Sequence, residues 1–386
     1  MMSSDARYQA ALGLAYLSNA HGNIMLRLLK EYLPEEIWEA SPACLVKMRM
    51  AAAAAERFAR LREDWVTALE PEEATRSLAA AGLRFLPCGT PGYPPQLMNL
   101  ALPPAGLFVK GDEERLRDLL KSARITIVGT RRASAYGTRA ARDFAVAFTS
   151  RGIAVISGMA LGIDGRAHEA ALEGGGLTVA VLGCGADIVY PGRHRGLYEA
   201  IAARGLVMSE LPPGTPPSRW TFPNRNRLLA ALGDGVLVVE GSTTSGAMQT
   251  GEQAAQLGRA VFAVPGSIYA ESHSGCNLLL RDGATPAIDP EATVEEFLLQ
   301  TRIERQERQP LEREGRLGGM RQDPFRDMVA EGREAILEAM EERPCSIDAL
   351  VLRTGMTARH LTVALAELEL AGLATRAGPG LYIRAP

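Results

Sequence analysis

Between residues 124 and 264 the chain alternates strictly between two kinds of segment. Short β-branched or aliphatic runs recur at residues 125–129, 153–157, 178–182, 206–209, 236–240 and 261–264. Amphipathic stretches at 137–150, 165–173, 193–203, 226–232 and 246–257 separate most of them. Strands without a polar face need cover on both sides, and an intervening helix brings each next strand in parallel. The expected fold is therefore α/β, with a doubly wound, mostly parallel, Rossmann-like sheet.

The chain has 386 residues, more than one core usually organises, since single cores stop growing near about 250–300 residues. Residues 1–84 read as helical, with Leu12, Leu14, Ile24, Leu28, Leu29 and Ile37 near helical spacing and Gly22 and Pro34 as punctuation. They suit a small all-α domain, either sterile-alpha-like or helix-hairpin-helix-like, or a plain packing cap. Residues 85–300 are expected to form the α/β domain. Its proline-rich lead-in at 85–111 contains short extended pieces such as 107–110. Residues 301–327 mix both charge signs with Gly and Pro and read as a flexible linker. Residues 328–386 follow the order of a winged helix: a helix at 329–342, helices at 346–354 and 357–370 about Gly355, and a hairpin with a Gly378-Pro379-Gly380 tip. Its recognition helix offers Arg359 and His360 against Glu367 and Glu369. That balance favours a protein-contact or structural role over DNA reading.

Bulk properties exclude several classes. The net charge of −3 rules out a generally basic coat, so any polyanion must be held by a local patch. Cys44, Cys88, Cys184, Cys276 and Cys345 are scattered and nowhere form C-x-x-C. This fits reduced thiols in a cytoplasmic protein and no metal set. The N-terminus lacks a signal-peptide layout, and no apolar run is long enough to span a membrane.

In a doubly wound sheet the ligand sits beyond the carboxyl ends of the strands. Those ends are rich in Gly and hydroxyl residues: 129–134, 157–160, 183–185, 241–246 and 265–267. Glycines let backbone amides approach an anion, and helix N-termini add free N–H groups. The 219–227 segment, expected as a loop, adds Arg219, Arg225 and Arg227 with Trp220 and Phe222. The span 121–142 carries Lys121, Arg124, Arg131, Arg132, Arg139 and Arg142 and no acid. Arg131 and Arg225 are expected to touch ligand, and Arg139 and Arg142 to lie on a solvated helix face.

The first turn, G-T-R-R-A-S-A-Y-G, is not G-x-G-x-x-G, and no G-x-x-x-x-G-K-[ST] occurs. A dinucleotide cofactor and P-loop ATP are therefore not expected. Catalytic groups are sparse. Asp164 reads as a helix N-cap, His168 as a buried histidine and Cys184 as a small core residue. Glu240 ends a strand under the rim, where it could orient an arginine, orient a loop or act on a substrate. A polyanion that is bound and not cleaved fits these residues, with arginines on phosphate and Phe222 or Trp220 against a base. A single strand can bend into such a rim, whereas a duplex is too stiff.

These residues resemble the DprA/Smf family of bacterial DNA-processing proteins. The similar motifs are V-G-T-R-R-A-S-A-Y-G (128–137), S-G-M-A-L-G-I-D-G-R-A-H (157–168), A-V-L-G-C-G-A-D-I-V-Y-P (180–191), S-E-L-P-P-G (209–214), F-P-N-R-N-R (222–227), S-G-A-M-Q-T (245–250) and A-V-P-G (263–266). The resemblance implies a non-enzymatic, usually homodimeric binder of single-stranded DNA, without cofactor, that loads a RecA-type recombinase in natural transformation. Its pocket would use Arg131 and Ser134, Ser157 and Gly158, Phe222, Arg225 and Asn226, and Ser245 and Gly246. Gly129 and Arg227 complete the expected single-strand site. Two positions depart from the family pattern. Thr244 stands where the family commonly has Lys, and Arg193-His194 where it commonly has Asn. Trp220 lies outside the F-P-N-R-N-R core and is expected to anchor the loop. The enzyme alternative is a nucleoside-monophosphate phosphoribohydrolase, whose P-G-G-x-G-T-x-x-E pattern is replaced here by E-G-S-T-T-S-G-A-M-Q-T. A third reading is a scaffold whose winged helix recruits partners.

Overall fold

The computed structural model describes residues 4–21, 24–68 and 71–301, and in the C-terminal part 336–337, 339–340, 345–354, 361, 365, 368, 374–378 and 381–384. The chain divides into two compact units, Met1–Glu307 and Arg308–Pro386.

The first unit opens with six helices: α1 (Ser4–His21), α2 (Ile24–Leu28), α3 (Pro34–Glu39), α4 (Pro42–Lys47), α5 (Ala52–Ala68) and α6 (Pro71–Ala80). Strands β1 (Arg84–Pro87) and β2 (Gly106–Gly111) follow, then α7 (Glu113–Lys121). The alternating region supplies β3 (Arg124–Val128), α8 (Ala135–Ser150), β4 (Ala154–Ser157), α9 (Ile163–Glu173), β5 (Thr178–Val181), α10 (Arg195–Arg204) and β6 (Leu206–Ser209). It continues with α11 (Thr221–Leu232), β7 (Gly235–Val238), α12 (Gly246–Gln256), β8 (Ala260–Ala263), α13 (Ser274–Arg281) and β9 (Thr285–Pro286).

All nine strands form one sheet, in the order β1-β2-β6-β5-β4-β3-β7-β8-β9. From β6 to β9 every pairing is parallel. The proline-rich lead-in adds β2 antiparallel to β6 and β1 antiparallel to β2. The doubly wound expectation holds, and the lead-in extends the sheet.

Successive residues of the central strands enter opposite cores. Val236 and Val238 join one with Ile156, Val181, Leu228 and the helical residues Leu12, Ile37 and Phe58. Leu237 and Val239 join the other with Ile125, Ile127, Phe144, Phe148 and Phe297. The strict period of two explains why these strands read as continuous apolar runs. The N-terminal helices therefore share a core with the sheet. Tyr8 packs edge-on to Phe85 and Tyr16 edge-on to Phe108.

In the second unit, β10 (Cys345–Ser346), β11 (Ala374–Gly378) and β12 (Leu381–Arg384) form an antiparallel sheet in the order β10-β12-β11. A helix at Ile347–Thr354 follows β10. Helix and hairpin fit the expected winged helix, with Leu350, Leu361, Leu365, Leu368 and Tyr382 in its core. The expected linker (except Thr301), most of the 329–342 helix, Arg359 and His360 lie outside the described residues.

Candidate functional site

The order in which strands are added reverses about β3, which pairs in parallel with β4 on one side and β7 on the other. Helices leave the carboxyl ends of these strands toward opposite faces, which opens a crevice at the switch point. A cavity of about 650 Å³ lies there. Its walls are the loop after β3, the start of α9, the first turns of α11 and the first turns of α12.

The loop after β3 is held from below. Ser134 caps α8, its Oγ accepting from the Gly137 amide at 3.0 Å and donating to Glu240 Oε2 at 3.0 Å. The same carboxylate oxygen accepts from the Ser134 amide at 3.0 Å, and the Glu240 carbonyl accepts from the Thr130 amide at 2.7 Å. Glu240 is buried, and its Oε1 has no partner among the described residues. Of the roles open to it in sequence, orienting the loop is the one its contacts match.

The loop after β4 is held by Asp164. Gly162 occupies the cap position of α9, so Asp164 is not the expected N-cap. Its buried Oδ2 accepts from the amides of Gly158 at 3.1 Å and Ala160 at 3.4 Å. Burial raises the carboxyl pKa, and the charge of Arg225 opposes that rise. Between the two amides, Met159 adopts φ 62° with its side chain buried. That left-handed conformation is unfavourable for a bulky residue, so the loop's hydrogen bonds and packing over-determine it.

The 219–227 segment is not a loop throughout. Helix α11 begins at Thr221, so Phe222, Arg225, Asn226 and Arg227 all lie in its first two turns. Pro223 sits in the first turn of this helix, where proline is tolerated because its missing N–H has no helical partner to lose. Arg225 points inward and is 5% exposed. Its Nη1 donates to the Gly158 carbonyl at 2.8 Å and to the Val181 carbonyl. Burial lowers its pKa to about 10, with the charge of Asp164 working against the drop, so it stays cationic at neutral pH. Its cation thus ties α11 to the ends of β4 and β5. A Cβ at Gly158 would meet the guanidinium at 2.4 Å, so any larger residue there must displace it.

Phe222 is half-buried at the cavity wall. The guanidinium carbon of Arg131 lies 5.1 Å from its ring centroid, and the Tyr190 ring lies 5.5 Å away, tilted by 37°. Arg131 is exposed and has no carboxylate partner among the described residues. A smaller cavity lies behind Phe222, lined by Gly158, Cys184 and Tyr190 among others. Burial pushes the Cys184 thiol up to about 11, as suits a core residue.

Of the eleven residues expected in the single-strand site, Gly129, Arg131, Phe222, Arg225, Asn226, Ser245 and Gly246 line the main cavity. Four do not. Ser134 is the cap described above. Ser157 is fully buried and donates to the Ile127 carbonyl at 2.6 Å. Gly158 lines the smaller cavity and supports Arg225. Arg227 pairs with Glu210. Arg139 and Arg142 sit on a solvated face, paired with Asp143 and Glu173. His168 is buried, its Nδ1 2.7 Å from Thr178 Oγ1.

Sequence reasoning missed Tyr190, Gln249 and Thr250 as lining residues. The signal for Tyr190 was its place near the end of the A-V-L-G-C-G-A-D-I-V-Y-P motif (180–191). Trp220 is a correction. It does not anchor the loop but stands 68% exposed, with the Arg219 guanidinium 4.7 Å from its ring.

The cavity therefore offers an exposed cation, an aromatic wall, a buried cation and helix N-termini, which together suit an anionic ligand bearing rings. Among the described residues no helix is long and apolar enough to cross a membrane.

The chain matches the family model for DNA recombination-mediator protein A over residues 84–298 and that for the DprA winged helix domain over residues 326–380. It is 38% identical over 310 residues to the putative DNA processing protein DprA of Mycobacterium tuberculosis, covering 79% of this chain and 72% of that one. The structure of DNA processing protein A from Streptococcus pneumoniae superposes with a TM-score of 0.65 at 30% identity, over 77% of this chain and 99% of that one. DNA processing protein A from Helicobacter pylori, whose structure is described as revealing a single-stranded DNA binding mode, gives 0.50 at 28% identity over 56% and 95%. The fold, the rim of loops and these matches agree that the chain belongs to the DprA/Smf family of DNA recombination-mediator proteins.

Proposed function

We propose that this protein binds single-stranded DNA without sequence preference in the cavity at the switch point, and that it acts as a recombination mediator. The observation that carries the reading is the Arg131–Phe222 pair on the wall of the 650 Å³ cavity. An exposed cation beside an aromatic face meets the two constant parts of any single strand, its phosphates and its base faces. The single-strand binding described for the Helicobacter pylori relative supports it. In this reading Arg131 holds phosphate, Phe222 stacks a base and Ser245, Gly246 and Asn226 line the strand's path. Arg225 supplies a buried positive charge and keeps the loop after β4 in place. Mediation means delivering the bound strand to a RecA-type recombinase in transformation and recombination. The protein does so as a cytoplasmic homodimer.

The two buried carboxylates at the rim, Asp164 and Glu240, are engaged by loop amides, which favours binding over nucleotide hydrolysis. The test is a titration of labelled oligo-dT followed by competition with unlabelled single-stranded and duplex DNA of equal length. Displacement by the single strand at much lower concentration is expected. Equal displacement by the duplex, or no binding at low salt, overturns the reading.

A further inference from the structure

We infer that Trp220 and Arg219 form a second stacking subsite, at the edge of the cavity, for the base next to the one held at Phe222. The inference rests on the single-strand reading above and extends it along the strand.

Trp220 is a feature of this rim that packing does not explain. Tryptophan is highly buried on average, yet this indole is 68% exposed. Its backbone, by contrast, is firmly fixed. The Trp220 amide donates to Ser218 Oγ at 3.3 Å, and the Thr221 amide to the Ser218 carbonyl at 3.2 Å. Thr221 Oγ1 donates to the Gly183 carbonyl at 2.5 Å and accepts from the Ser218 amide at 3.2 Å. Hydrogen bonds on both sides thus fix the backbone from which the exposed ring projects.

Arg219 gives the ring a polarity. Its guanidinium lies 4.7 Å from the ring centroid, and Arg219 itself lines the cavity. With a cation on one face and 68% of the residue exposed, the opposite face stays open to a flat partner. Trp220 is two residues before Phe222, and Arg131 over Phe222 repeats the same pairing of cation and ring. Two cation-and-ring units whose rings are two residues apart in the chain match a polymer that repeats a phosphate and a base. The occupant is therefore the neighbouring nucleotide of the same strand.

The experiment uses the full chain and oligo-dT of about twelve nucleotides, within the span that single-strand binders cover. Intrinsic fluorescence is followed in the wild type and in Trp220→Phe, which leaves Trp38 and Trp65. Affinity is measured for the wild type, Trp220→Phe and Trp220→Ala. Expected are quenching in the wild type that Trp220→Phe largely loses, and affinity about fivefold or more weaker in Trp220→Ala, with Trp220→Phe between. The salt slope of Trp220→Ala should match the wild type, because an indole releases no counterions. Full quenching retained in Trp220→Phe, or Trp220→Ala affinity within about twofold of wild type, overturns the subsite. So does a change of oligomeric state in Trp220→Ala with DNA affinity unchanged, which would make the indole a protein contact. Absence of binding by the wild type is a different result: it removes the single-strand reading itself.

Discussion

The guanidinium of Arg131 lies 5.1 Å from the centre of the Phe222 ring, although the two residues come from different crossovers of the sheet. This contact joins the loop after β3 to the first turn of α11 and forms the cavity wall to which the proposed function assigns phosphate and base recognition. Desolvated cation–ring pairs contribute more than exposed ones, so a strand that covers the pair should tighten it.

If a base stacks on Phe222, removing the ring while keeping an apolar side chain has a defined effect. Phe222→Leu should weaken oligo-dT binding by about 1–3 kcal/mol and leave the log–log salt slope unchanged. Fluorescence anisotropy over a salt series measures both. A flattened slope would mean that the ring acts through Arg131 and not through a base.

Gly183 lies beneath Phe222. A Cβ there would meet Phe222 Cδ1 at 2.8 Å, so an added methyl must push the ring outward. Gly183→Ala is expected to weaken single-strand binding several-fold, with a stability loss of about 1–3 kcal/mol for the overpacking. Anisotropy and thermal unfolding on the same preparation separate the two effects. Wild-type affinity in Gly183→Ala would show that the position of Phe222 does not matter to the strand.

His168 gives the fold a pH dependence that is independent of DNA. It is fully buried, and desolvation lowers its pKa to about 3, with the nearby His194 and Arg225 adding to the drop. The unfolded chain binds this proton near pH 6.5, whereas the native one resists it until about pH 3. Stability from this group is therefore complete above about pH 6.5 and is lost as pH falls toward 3, amounting to roughly 2 kcal/mol by pH 5. His168→Asn should show a shallower fall of the thermal midpoint between pH 7 and pH 5 than the wild type. Parallel curves would contradict the assignment.

The sheet was legible because its signal is local. Each strand from Arg124 to Ala263 announced itself by a short apolar run, and each helix by its own periodicity. The rim was legible as composition, since Gly129, Arg131, Ser245 and Gly246 follow strand ends and the fold brings those ends together. What a residue does on that rim was not legible. Arg225 looked like Arg131 in sequence, but carbonyls of Gly158 and Val181, 67 and 44 positions away, enclose it. Arg227 looked free until Glu210, 17 residues earlier, came into contact. Glycines read as room for an anion turned out to be room for the protein's own side chains, Arg225 over Gly158 and Phe222 over Gly183. Such roles depend on which distant segments the sheet order makes neighbours, and a one-dimensional pattern does not carry that information.

The most direct measurement of the central claim is the salt dependence of oligo-dT binding by the wild type beside Arg131→Ala. If Arg131 holds a phosphate of a single strand, the wild type should show a negative log–log slope. Arg131→Ala should bind more weakly at low salt, with a slope flatter by about 0.7, the share of one phosphate contact on a single strand. Identical affinity and slope in the two proteins would contradict the account.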